Sequence, residues 1–152
     1  MLEIMKSNKI ATDIDFLTNG PWYELYVISK NWQSDIAFYR DDLRFLFHLI
    51  DKYFLWLTRP ENLKIVQELQ NNLHQLEIKC KDLLNKLGEH TIQLGYLIEN
   101  PNKSDAGIIL TEHEHLEEEI AAITKLFRKN RTEVFAITEY IIDSAELASK
   151  LK

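Results

Sequence analysis

The sequence predicts an all-α protein, an elongated antiparallel up-down-up three-helix bundle with coiled-coil-like heptad packing. Three observations carry that expectation. Apolar residues recur at alternating steps of three and four along most of the chain. Glycine (4) and proline (3), the usual punctuation of a fold, are scarce in 152 residues. Two polar breaks, TRPE at 58–61 and NPNKSDAG at 100–107, divide the chain into three long segments.

The first segment follows Pro21. Ile36, Tyr39, Leu43, Leu46, Ile50, Tyr53 and Leu57 fill heptad positions a and d. Trp32 precedes them by four residues, and the rhythm stutters there. The second segment runs from Val66 through Leu73, Cys80, Leu87 and His90 to Leu97. The third runs from His113 through Ile120, Phe127, Asn130 and Val134 to Leu151. A strand would alternate with period two; a sustained 3-4 stripe means a helix that buries one face on other helices. The expected helices cover about 21–57, 59–99 and 111–151, and together form one domain, 21–152. Each has roughly 36 to 41 residues and a length of about 55 to 60 Å. Thr58 with Glu61, and Thr111 with Glu114, match capping boxes that would open the second and third helices; Ser104 or Asp105 is the alternative start for the third. Residues 1–20 read as a mobile or docked N-terminal segment, since IATDIDFL has some apolar content.

Bulk composition narrows the function classes. A net charge of -6 repels phosphate backbones, so no nucleic-acid partner is expected. No apolar run reaches the roughly 18 residues of a membrane span, and none near the start resembles a signal peptide. A cytoplasmic protein without membrane contact is the expectation. Cys80 is alone, so neither an internal disulfide nor a thiolate metal cluster can form. At a core position it reads as inert packing. No phosphate-binding glycine loop, nucleophile elbow or Walker pattern is present. We therefore expect no cofactor, and a protein that is not an enzyme.

The first helix is more apolar than its packing requires. Eleven of the sixteen aromatic residues lie between Trp22 and Trp56. Phe47 and Phe54 fall at e, Trp56 at g, and Phe38 and Phe45 at c, which tends to face outward in a three-helix bundle. These five residues form the expected interface of a homodimer, because contiguous exposed aromatics mark association surfaces. The bland reading is a broad helix packed in a cleft, with Phe38 and Phe45 partly covered. Gly88 and Gly95, both at b, read either as a line where another backbone approaches or as a bent stretch.

TEHEHLEEEI, at 111–120, concentrates two histidines and five glutamates. Its main reading is an acidic helix start, with Glu112 and Glu114 on the positive end of the helix dipole and Glu117, Glu118 and Glu119 on a solvated face. The sharper reading is metal. His90 at d and His113 at a both point inward, Glu117 lies at i+4 from His113, and Glu24 falls at a similar height on the first helix. Glu112 and His115 have the Glu-x-x-His spacing of di-iron bundles, but His115 is at c and faces water. The expected role is thus a self-associating interaction or scaffold protein, with a further protein partner. A metal-binding bundle using His90, His113, Glu117 and Glu24 is the alternative.

Overall fold

A computed structural model describes residues 9–53, 59–101 and 106–151, with side chains placed between 20 and 143. Helix α1 spans Lys9–Lys52, α2 Leu63–Glu99 and α3 Ala106–Leu151, and they pack as a three-helix bundle. No strand occurs among the described residues. No described helix is long and apolar enough to cross a membrane.

The helix limits differ from those expected, for local reasons. Helix α1 is already helical at Lys9 and passes through Pro21. A proline costs its own backbone hydrogen bond and bends the helix without having to end it. Before α2, a turn intervenes: Arg59 O accepts from Asn62 N at 2.8 Å and from Leu63 N at 3.0 Å. Asn62, a favoured N-cap type, then offers its own carbonyl to Val66 N at 3.0 Å. Thr58, proposed as that cap, lies outside the described residues, as do Ser104 and Asp105. Helix α2 ends where Asn100 donates from both its backbone N, at 2.9 Å, and its side chain, at 3.1 Å, to Tyr96 O. Pro101 follows. Helix α3 begins ahead of Thr111, whose hydroxyl donates to Gly107 O at 3.0 Å. Thr111 is therefore an interior residue and not a cap.

The heptad seams are buried. Ile36, Leu43, Leu46 and Ile50 of α1 are sealed, as is every a and d position of α2 from Val66 to Leu97. In α3 the same holds from His113 to Val134 and at Ile141. Burying one such leucine contributes about 2 kcal/mol. The chain divides into two units: one of residues 1–35 and 83–120, the other of 36–82 and 121–152. In the first, Trp22, Leu25 and Tyr26 pack on Leu94, Leu97 and Ile109. There Lys86 meets Glu119 and His90 meets His113, so α2 and α3 run antiparallel. In the second, Tyr39 stacks on Phe127, Asp42 pairs with Arg131 and Phe45 contacts Phe135, so α1 and α3 run parallel. Within the first unit α1 also runs antiparallel to α2, since Ser29 meets Thr91 and Tyr26 lies beside Gly95, so the order there is up-down-up.

Candidate functional site

The first unit contains a buried polar layer. Ser29 continues the a/d stripe of α1 seven residues ahead of Ile36, and Trp32 does so seven ahead of Tyr39, so the register has no stutter. Ser29 is fully buried and Trp32 half-buried. Ser29 Oγ lies 2.6 Å from Thr91 Oγ1. Thr91 has one hydroxyl proton, and its shortest acceptor is Leu87 O at 2.7 Å. Ser29 is then the donor in the shared bond. Gln33 Oε1 stands further off, at 3.3 Å.

One layer along, His90 Nε2 lies 2.8 Å from His113 Nδ1. Trp32 stacks on the His113 ring at 4.6 Å between centroids. His90 Nδ1 is buried with no hydrogen-bond partner among the described residues. That fact selects a tautomer. If His113 donated, the His90 proton would sit on Nδ1 as a buried, unpaired N–H. If His90 Nε2–H donates, Nδ1 bears only a lone pair, the less costly orphan. Burial, with a smaller contribution from the neighbouring His113, lowers the His90 pKa from 6.5 to about 4. Burial also lowers that of His113, against the upward pull of Glu117. Both imidazoles are neutral at pH 7.

Of the four residues considered for metal, the fold brings His90 and His113 together. No group of three or more His, Cys, Asp or Glu side chains that could hold an ion converges among the described residues. Glu117 is exposed and Glu24 half-buried, and Trp32 supplies α1's contact with His113.

TEHEHLEEEI is not a helix start, because α3 begins earlier and its first turn has no acidic residue. Its residues divide by face. His113, Leu116 and Ile120 point into the core, while Glu114, His115, Glu117 and Glu118 are exposed. Glu119 holds Lys86 Nζ at 3.0 and 3.4 Å. Glu112 lines a groove of about 660 Å³ between α2 and α3, with Glu89, Ile92, Tyr96, Ile108 and Ile109; His90 also borders it.

The second unit holds the aromatic stripe. Phe38 is 63% exposed and Phe45 48% exposed. Phe38 sets its edge to Tyr39, and Phe45 leans on Phe135 at 6.2 Å. Arg131 lies over the Phe135 ring at 4.7 Å and donates to Asp42 at 3.0 Å. Phe47 is half-buried and packs on His74 at 4.9 Å, so it contributes less to an outer surface than Phe38 and Phe45. Phe54 and Trp56 lie outside the described residues. Asn130 donates to Leu126 O of its own helix at 2.9 Å. Cys80 is sealed, and burial pushes its pKa up to about 11 against the opposing pull of Arg40.

Trp32, Ser29 and Thr91 were missed as site residues. Extending the α1 register toward the N-terminus would have found the first two. Thr91, at e beside His90, gave no signal of its own. Comparison of the chain with protein families, with characterised proteins and with solved structures gives no match.

Proposed function

We propose that this chain is a non-enzymatic interaction protein that pairs with a second copy of itself through the aromatic stripe of α1. One observation carries the reading: Phe38 and Phe45 stand two helical turns apart, about 10 Å along the axis, and remain largely open to solvent. Large exposed aromatics on one line favour an interface, where their burial offsets the entropy lost on association. The half-buried Phe135 widens the apolar surface beside Phe45, and the Asp42–Arg131 pair supplies a polar rim. Such a dimer needs roughly 800 Å² from each copy.

Sedimentation equilibrium tests it. The chain is expected to dimerise at micromolar concentration, and Phe38→Ser with Phe45→Ser to shift it to monomer without loss of helix content. A wild-type chain that stays monomeric at about 100 μM, where even a weak complex would form, overturns the reading.

A further inference from the structure

Among the described residues of the first unit, the two most exposed aliphatic side chains border one groove. Ile92 on α2 is 75% exposed and Ile108 on α3 is 73% exposed. Tyr96, one turn beyond Ile92, and the buried Ile109 complete an apolar floor. Two ridges of apolar side chains flanking a channel between helices are the receptor shape for a further helix.

The charges say what kind of helix. Lys86 borders the groove, but its ammonium is held by Glu119. Glu89 and Glu112 also border it, and neither has a cationic partner among the described residues. The formal charge of the described lining, Lys86 against Glu89 and Glu112, is therefore negative, on a chain of net charge -6. An acidic helix would meet like charge here. A basic one gains two ion pairs at the rim of an apolar contact, where electrostatic complementarity sets specificity.

We propose that the α2–α3 groove of the first unit docks an amphipathic helix of a protein partner, with an apolar face flanked by lysine or arginine. Apolar side chains at i, i+4 and i+7 seat between Ile92, Tyr96 and Ile108, and basic residues on either flank reach Glu89 and Glu112. This site shares no residue with the α1 stripe and does not depend on self-association.

The test uses the full chain and two synthetic peptides of about 18 residues, long enough for a helix to form on contact. One is built of leucine at 3-4 spacing with lysine elsewhere, the other of leucine with glutamate. The Leu/Lys peptide is expected to bind one per chain and to shift the backbone amide resonances of Ile92, Tyr96, Ile108 and Glu112. Glu89→Gln with Glu112→Gln should weaken it by about fivefold or more. Glu114→Gln with Glu118→Gln, which removes the same charge from exposed positions outside the groove, should change it less than about twofold. Ile92→Ser with Ile108→Ser should abolish binding with helix content intact, since both side chains are exposed.

Equal loss from the two glutamate pairs would reduce the effect to general attraction and overturn the assignment. So would shifts centred on Phe38 and Phe45, equal binding of the Leu/Glu peptide, or no binding of either. Repeating the titration on the Phe38→Ser, Phe45→Ser chain separates this site from self-association, because docking there must persist.

Discussion

His90 is neutral because its surroundings give a charge nothing to bind. One ring nitrogen is committed to His113, the other has no partner among the described residues, and His90 is 1% exposed. The consequence for stability has a definite sign. Above pH 6.5 the imidazole is neutral in both folded and unfolded chains, and stability is at its full value. Below 6.5 the unfolded chain takes up the proton while the folded chain resists down to about pH 4, so stability falls as pH falls between these values. The burial shift of His113 acts in the same direction. From pH 6.5 to 5, above the range where ordinary carboxylates titrate, the expected loss from His90 is about 2 kcal/mol. Urea denaturation across that window should show it, and His90→Leu should flatten the slope. A wild-type slope no steeper than that of the variant would mean that the folded protein accommodates the charge.

At the scale of elements, Gly88 and Gly95 sit in the interior of α2, where neither a turn nor an αL conformation calls for glycine. The space beside them belongs to α1: a methyl group at Gly88 would lie 3.8 Å from Gln33 Nε2, and at Gly95 3.8 Å from Tyr26 Cε2. Both are ordinary contact distances, so side chains of α1 face these glycines and no second backbone comes within 4 Å of them among the described residues. Gly88→Ala and Gly95→Ala are each expected to stabilise the protein by about 0.5 to 1 kcal/mol, nearly additively. A drop in urea midpoint for either would show that the helix needs a bend there. What could be read from the sequence follows the same division. The a and d stripes were legible because burial is imposed at a fixed period. Helix starts were not, because Thr111 with Glu114 satisfies a capping pattern equally well inside a helix. The inward direction of His90 and His113 was legible, but their contact was not, since it depends on the axial offset of two helices. The groove was hidden for a related reason. Ile92 and Ile108 look like stray surface residues until α2 and α3 are set side by side.

At the scale of the whole molecule, the stability of long helices comes from docking their seams and much less from intrinsic propensity. Cys80 reports on that docking. It occupies a core position of α2, is fully buried, and its thiol is held at a pKa of about 11 by burial, with Glu77 adding to the rise and Arg40 opposing it. At pH 8 only about one thiol in a thousand would be ionised even if a reagent could reach it. Reagent access requires α2 to leave its neighbours, so modification should proceed through the opened chain. The native protein is expected to react with a thiol-specific disulfide reagent at least about 1,000-fold more slowly than the urea-unfolded chain, as the folding equilibrium of an ordinary domain implies. The rate should rise with urea in proportion to the unfolded population measured by helix content. Fast reaction in the absence of denaturant, with helix content unchanged, would mean that the seam around Cys80 opens locally and that the bundle is not closed at that level.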